Sequence, residues 1–318
     1  MAAAPASAQD DFDAAFDRAL GTELRAPKDF TPDYRTPLEQ RIAQIANGEK
    51  GRIGVAAVDL TTGEMVSVLG DQRFPMASTS KIAIAATFLE GVDQGRWSLT
   101  SEFPLLVPVR SAKYSSARAP VKRGQYMPAH QLIDLMITRS SNPATDALLA
   151  VVGGPNAVNS WARRAGIRDF TLTRDIATLV RDDGEFDPAS RIDIRDSATP
   201  RAMVDMLAGL HKGRWLSADS RNVIIRTMER TRTGKRRIRG MMPSEAMVAN
   251  KTGSLNNTSS DIGYVTGPDG RTIAVAIYVT GQGTRRNREA RIASIARALY
   301  DGYRSDRRRY ANARYSTP

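Results

Sequence analysis

The sequence predicts an α+β fold in which one sheet is assembled from segments near the two ends of the chain. β-rich segments occur before Leu69 and again from Ala246, and the region between them has mostly helical spacing of its apolar residues. Strands that are distant in sequence but share one sheet leave the intervening helices to form a second lobe. We therefore expect a small-molecule site in the groove between the two lobes.

A capped helix and a hairpin are predicted at the start of the folded region. Thr36 can cap a helix that has Pro37 in its first turn and that ends at Gly48. Alternating β-rich residues at 52–60 and 64–69 flank a short turn that contains glycine, which predicts a β-hairpin. The apolar run KIAIAATFLEG that follows predicts a buried helix that begins near Ser78.

The middle of the chain is predicted to be mostly helical from about residue 83 to residue 200. Successive short helices, each ended by glycine or turn residues, are expected in HQLIDLMITRSSN, NPATDALLAVVGG and PNAVNSWARRAG. A threonine cap and Pro200 start a further helix in TPRAMVDMLAGLHKG, and residues 217–228 form another. Three β-rich segments follow, AMVANKTGS, SDIGYVTG and RTIAVAIYVTG, before a last helix from about Asn287 to Arg304.

Length and composition are those of a globular protein with a sizeable core. The chain has 318 residues, of which 41% are hydrophobic and 25% charged, and no apolar run approaches the ~20 residues that a membrane span needs. It contains no cysteine, which excludes a disulfide framework. The first residues, MAAAPASAQDD, resemble the end of a secretory signal with Ala-Ser-Ala as the cleavage triplet, which predicts export to a bacterial periplasm.

The net charge of +12 does not by itself indicate a nucleic-acid partner. Much of it lies between residues 285 and 291 and in the tail RSDRRRYANARYSTP. No aromatic stacking pattern, zinc-finger spacing or RNA-binding signature accompanies these charges in the sequence. We interpret them as a solvated basic surface and expect no nucleic-acid partner.

The predicted domain organisation has four parts. Residues 1–33 are a leader remnant and N-terminal extension, and residues 306–318 are a basic tail. The sheet domain is discontinuous and comprises residues 34–82 and 201–305. The helical domain covers residues 83–200 and includes a long loop. We expect the protein to be a monomer.

Ser78 and Lys81 form the first candidate catalytic pair. A serine followed three residues later by a lysine places both side chains on one helix face. A partly neutral lysine there can accept the proton of the serine and so activate a poor nucleophile. The pair alone is a weak signal, because Ser-x-x-Lys occurs by chance in a chain of this size.

Two further segments make the signal specific: Ser140-Ser141-Asn142 in the helical region and Lys251-Thr252-Gly253-Ser254 on a β-rich segment. The three motifs, in this order, resemble those of the penicillin-recognising serine enzymes, in particular the class A β-lactamases and the small penicillin-binding proteins near them. The resemblance runs from about Thr36 to Tyr303 and includes Gly153-Gly154-Pro155. It implies an antiparallel sheet flanked by helices, an all-helical lobe, and an active site between them.

The resemblance implies a role for each motif residue. Ser78 is the nucleophile, Lys81 is the base for acylation, and the backbone N–H groups of Ser78 and Ser254 form the oxyanion hole. Ser140, held by Lys251, relays a proton to the leaving nitrogen. The implied substrate-binding residues are Asn142, Thr252, Gly253, Ser254 and Arg237. No cofactor and no metal are implied.

The pattern breaks in the loop that carries the deacylation machinery of this family. The best match to its Arg-x-Glu-x-x-Leu-Asn is Arg174-Asp175-Ile176-Ala177-Thr178-Leu179-Val180, so Ile176 stands for the glutamate and Val180 for the asparagine. Both changes remove polar atoms that position and deprotonate water, which predicts slow deacylation. The acids of the extended loop that could replace the glutamate are Asp175, Asp183, Glu185 and Asp187.

Several functions are compatible with these residues. The first is a serine hydrolase that forms an acyl-enzyme with β-lactams, and the alternatives are a D,D-peptidase or penicillin-binding protein acting on D-Ala-D-Ala peptides, a module that binds β-lactams or peptidoglycan without turnover, and an esterase. A Ser-His-Asp hydrolase is disfavoured, because the chain has two histidines and no Gly-x-Ser-x-Gly. A metalloenzyme is disfavoured by the lack of cysteine and of His-Glu-x-x-His.

Overall fold

The fold was analysed in a computed structural model that describes residues 34–48 and 50–315, with side chains up to residue 304. The predictions made for residues 1–33 lie outside the described residues. Within the described residues, no helix is both long and apolar enough to cross a membrane.

Five antiparallel strands form the main sheet, in the order β2-β1-β10-β9-β8, and a two-stranded hairpin, β4-β5, and a short three-stranded sheet, β3-β7-β6, accompany it. The elements, in chain order, are α1 Pro37–Ile45, β1 Ile53–Asp59, β2 Met65–Val68, β3 Phe74–Pro75, a 3-10 turn Ala77–Ser80, α2 Lys81–Asp93, β4 Glu102–Pro108, β5 Val121–Pro128, α3 Ala129–Thr138, α4 Asn142–Val152, α5 Pro155–Arg164, β6 Phe170–Thr171, α6 Ile176–Arg181, β7 Ser197–Ala198, α7 Pro200–His211, α8 Ala218–Glu229, a 3-10 turn Ile238–Met241, β8 Met247–Leu255, β9 Thr258–Thr266, β10 Thr272–Thr280 and α9 Arg285–Tyr315.

Both faces of the main sheet are buried, which explains why the strands β1 and β10 are nearly continuous apolar runs. Val55 and Ile277, on one face, pack with residues of α1 and α9, such as Ile42 and Ile295. The other face belongs to a larger core that includes Tyr278 of β10 and the apolar residues of α2, α3, α4 and α7. The α+β fold with one sheet drawn from both ends of the chain is therefore confirmed.

The predicted helix caps are confirmed as well. Thr36 accepts the backbone N–H of Glu39 at 3.1 Å while the Glu39 carboxylate accepts the N–H of Thr36, a reciprocal capping box. Thr199 caps α7 through the N–H of Ala202, with Pro200 as the first helical residue. The helix predicted over residues 217–228 is also present as α8, and Ser217 caps it, although no cap was predicted there.

Three features differ from the sequence prediction. The region predicted to be mostly helical contains the hairpin β4–β5, whose outer strand is largely exposed and so lacks alternating apolar residues. Ser78 lies in a 3-10 turn ahead of α2 rather than inside the α-helix. The last helix continues to Tyr315 instead of ending near Arg304, so part of the predicted tail is helical backbone. The division into two domains stays a prediction.

Candidate active site

The segment that carries Ser78 is held against the strand β8. Ala77, which precedes Ser78, has φ +48°, a left-handed conformation that costs a non-glycine residue free energy and persists where packing enforces it. The packing comes from Gly253: a Cβ at this position would lie 2.8 Å from the carbonyl oxygen of Met76 and 3.0 Å from the Cβ of Ala77. Glycine is therefore required in the third motif because the strand backbone approaches the half-buried Ser78 turn closely.

Lys81 is fully buried, and its ammonium group faces the second motif. Its Nζ donates to the carbonyl oxygen of Ser140 at 2.8 Å, to Oγ of Ser140 at 3.3 Å and to Oδ1 of Asn142 at 2.8 Å. In the part of the chain that the structure describes, Oγ of Ser78 is not among these acceptors. Burial lowers the pKa of Lys81 well below its usual range, the charge of Lys251 lowers it further, and Asp146 opposes the shift.

Lys251 holds the same serine from the strand side. Its Nζ donates to Oγ of Ser140 at 2.9 Å and to the carbonyl oxygen of Thr252 at 2.8 Å. Burial lowers the pKa of Lys251 to about 7; Asp261 raises it and Arg237 lowers it. Because both lysines donate to Oγ of Ser140, the hydroxyl proton of this serine is free to be donated elsewhere. Ser140 itself has φ +59°, a second left-handed non-glycine residue in the site.

The third motif presents hydroxyl groups at its outer end. Oγ1 of Thr252 lies 2.7 Å from Oγ1 of Thr233. Oγ of the exposed Ser254 accepts from the guanidinium of Arg237 at 2.6 Å. These hydroxyl groups form a polar edge beside the lysine pair, the kind of surface that binds a carboxylate.

Arg237 is buried beneath this edge. Its guanidinium donates to the carbonyl oxygens of Gly253 at 2.7 Å and Ser260 at 2.8 Å, and it pairs with Glu289 at 3.2 Å. It is 1% exposed, and burial lowers its pKa. Arg237 thus ties β8 and β9 to α9 and adds positive charge behind Ser254.

The loop acids expected as possible replacements for the glutamate each make structural contacts. Asp175 caps α6 through the N–H of Thr178 at 2.8 Å, and Asp183 accepts the N–H of Asn256 at 2.9 Å. Glu185 pairs with Arg195 at 2.8 Å, and Asp187 accepts Nδ2 of Asn257 at 2.8 Å. Among the described residues, none of the four acids shares a hydrogen bond with the three motifs.

Ile176 and Val180 lie on α6, the helix of this loop. Ile176 is 2% exposed and Val180 is 48% exposed, so neither side chain brings a polar atom to the site. The loop is closed at its base by Arg174, whose Nε donates to Oδ2 of Asp196 at 2.6 Å.

Asp146, a buried carboxylate on α4, was not among the site residues predicted from the sequence. Its two oxygens accept the backbone N–H groups of Ile176 at 2.7 Å and of Ala177 at 2.8 Å. Burial raises its pKa to about 6 against the opposing effect of these N–H groups, and its charge acts on Lys81. A signal was present: Asp146 is the single charged residue in NPATDALLAVV and follows Asn142 by four positions, which places both on one helix face.

In the described part of the chain, no group of three or more histidine and acidic side chains is arranged to hold a metal ion.

The fold and the three assembled motifs define a serine hydrolase with a lysine pair at its centre. Residues 37–303 match the model of the β-lactamase enzyme family, and the chain belongs to this family. This result confirms the predicted class A β-lactamase-like serine hydrolase and its fold.

Known relatives agree with this assignment over most of their length. The chain is 27% identical to the extended-spectrum β-lactamase PER-1 of Pseudomonas aeruginosa, over 85% of this chain and 89% of the relative. It is 29% identical to the β-lactamase CTX-M-8 of Citrobacter amalonaticus, over 84% and 89%. Among solved structures, a β-lactamase from Chitinophaga pinensis superimposes with a TM-score of 0.74 at 27% identity, covering 84% of this chain and all of that one. An ancestral class A β-lactamase has a TM-score of 0.70 at 33% identity, covering 83% and 99%.

Proposed function

We propose that the protein opens β-lactams by forming an acyl-enzyme through Ser78 and that it releases the acyl group slowly. The observation that carries this proposal is the hydroxyl group of Ser140, held between Nζ of Lys81 at 3.3 Å and Nζ of Lys251 at 2.9 Å. This arrangement suits one task, the delivery of a proton to a nitrogen that leaves a tetrahedral intermediate.

Acylation follows from the charges of the two lysines. Burial and the charge of Lys251 favour the neutral form of Lys81. Neutral Lys81 takes the hydroxyl proton of Ser78 while Oγ of Ser78 bonds to the lactam carbonyl carbon. The N–H groups of Ser78 and Ser254 stabilise the oxyanion, each typically worth ~3 kcal/mol. When the C–N bond breaks, Ser140 gives its proton to the nitrogen and recovers one from Lys251 or Lys81. Asn142 orients Lys81 and the substrate amide, and the substrate carboxylate binds at Thr252, Gly253 and Ser254, supported by Arg237.

Deacylation lacks an evident base. Ile176 and Val180 supply no atom that could hold or deprotonate water, and the four loop acids are engaged in a helix cap, an ion pair and hydrogen bonds from two asparagines. This observation favours a second candidate function, a D,D-peptidase or penicillin-binding protein that β-lactams trap as a stable adduct. Under either function we expect export to a bacterial periplasm, which the signal-like start of the sequence supports, and action as a monomer.

Time-resolved intact mass after mixing with a penicillin tests the proposal. We expect stoichiometric addition of the intact penicillin mass, loss of the adduct over minutes or longer, and no adduct in Ser78→Ala. Lys81→Ala should slow acylation by at least ~100-fold, the usual contribution of a general base. Absence of any adduct contradicts the proposal and leaves a module that binds without reacting, whereas loss of the adduct within seconds contradicts slow deacylation. Release of D-Ala from a D-Ala-D-Ala peptide identifies the peptidase.

A further inference from the structure

A basic groove lies outside the motif residues, between the helices α3 and α8. Its volume is about 890 Å³, large enough for a small ligand or an extended substituent. Apolar side chains line part of it, namely those of Met127, Leu135 and Val223. The groove can therefore accommodate a ligand group that has both apolar surface and charge.

Positive charge dominates this groove. Four arginines line it, Arg139, Arg226, Arg230 and Arg232, against two acids, Asp134 and Asp219. Arg230 pairs with Asp134 at 3.0 Å. The other three arginines are exposed and take part in no ion pair within the described portion of the chain. Arginine binds carboxylates with two parallel hydrogen bonds, so the unpaired guanidinium groups favour a carboxylate as their ligand.

One end of the groove adjoins the proton donor of the proposed reaction. Arg139 is joined to Ser140 by a single peptide bond, and the backbone N–H of Arg232 donates to the carbonyl oxygen of Thr138 at 2.9 Å. Thr233, the next residue, contacts the hydroxyl of Thr252. The end of the groove that carries Arg139 and Arg232 thus lies beside Ser140, which gives its proton to the leaving nitrogen in the proposed reaction.

We infer that this groove binds a carboxylate carried by the leaving-nitrogen side of the substrate, beyond the carboxylate held by the third motif. The inference rests on the proposed acylation of Ser78, which fixes Ser140 on the leaving-nitrogen side. It makes substrates with an anionic extension on that side the preferred class, and Arg226 and Arg232 the residues that select them.

Two bicyclic β-lactams that differ at one position test the inference. The substituent on the ring fused to the β-lactam, attached on the side of the lactam nitrogen, ends in a carboxylate in one compound and in a carboxamide in the other. The measurement is the second-order rate of Ser78 acylation, followed by intact mass at low and at physiological salt. We expect the carboxylate compound to react about tenfold faster, with a smaller preference at higher salt because added ions screen exposed charges.

The variant R226A/R232A should reduce this rate ratio to about one. The control R163A/R168A removes two exposed arginines outside the groove and should keep the ratio. A ratio near one in the unmodified protein overturns the inference, as does a ratio retained in R226A/R232A or lost equally in the control. Acylation by both compounds without discrimination leaves the proposed function standing, whereas no acylation by either removes both.

Discussion

The carboxylate of Asp146 accepts the backbone N–H of Ile176 at 2.7 Å, so the residue predicted to stand for the family's glutamate is held in place by an acid from a different helix. Asp146 also binds the N–H of Ala177 and therefore anchors the first turn of α6 to α4. Its negative charge raises the pKa of Lys81 and so opposes the lowering caused by burial. The acid whose charge acts on Lys81 thus belongs to the buried helix α4 and not to the loop.

The substitution Asp146→Asn should change how stability depends on pH. The pKa of Asp146 is about 6 in the folded protein, above its ordinary value of 3.8, so the folded state binds more protons than the unfolded state between these pH values. The contribution of Asp146 to the free energy of unfolding is therefore full below pH 3.8 and falls by about 3 kcal/mol in total as the pH rises through 6. Urea unfolding of both proteins at pH 4, 5, 6 and 7 measures it. The prediction is contradicted if the free energy of unfolding of the unmodified protein minus that of Asp146→Asn stays constant or rises with pH.

Arg237 and Arg285 both contact Glu289, and their different burial predicts different costs of removal. Arg237 is 1% exposed and holds two strand carbonyls as well, whereas the side chain of Arg285 is 67% exposed. Arg237→Ala removes the buried donor to the carbonyl oxygens of Gly253 and Ser260 and leaves Glu289 with the exposed Arg285 alone, so it should lower the free energy of unfolding by about 3–5 kcal/mol. The matched control Arg285→Ala should cost less than about 1 kcal/mol. Chemical denaturation measures the free energy of unfolding of both variants. Equal losses in the two variants contradict the prediction that the buried arginine contributes more than the exposed one.

The pH profile of acylation should reveal Lys251. Burial lowers its pKa to about 7, and its ammonium group donates to Oγ of Ser140. As pH rises through this value the donor becomes neutral, Ser140 loses a source of protons, and acylation should slow on the alkaline side. Lys251→Arg keeps the positive charge at high pH, so its alkaline limb should move up by more than one pH unit even if its maximal rate is lower. An alkaline limb that is unchanged in Lys251→Arg assigns the titration to another group.

The parts of the fold that depend on local patterns were predictable from the sequence. Thr36 and Thr199 cap helices as predicted because a threonine before a proline and an apolar periodic run is a local signal. The hairpin β4–β5 was not predicted, because β5 is mostly exposed and carries no alternating apolar pattern. The 3-10 turn at Ser78 is packed against β8 through the close approach of Gly253 to Ala77, and no local pattern encodes a contact between residues 176 positions apart.

The same distinction holds for the site. The resemblance predicted that Ser140, Lys81 and Lys251 share one site. In the structure both lysines donate hydrogen bonds to Oγ of Ser140. Asp146 was not predicted because its role depends on a tertiary contact, the hydrogen bond that it accepts from the backbone N–H of Ile176. The roles assigned to the individual residues stay predictions until variants are measured.

Restoring a carboxylate at the loop position should shorten the lifetime of the acyl-enzyme, provided that Asp146 is neutralised at the same time. In Ile176→Glu alone, the introduced acid lies beside the buried Asp146, and two like charges so close share a proton, which leaves a weak base. In I176E/D146N that repulsion is gone, and the introduced carboxylate can take a proton from water. We expect the double variant to lose its penicillin adduct at least tenfold faster than the unmodified protein and faster than Ile176→Glu. Adduct lifetime by intact mass measures this, with Asp146→Asn as the control that should not gain deacylation. An unchanged lifetime in the double variant means that the missing carboxylate is not what slows release.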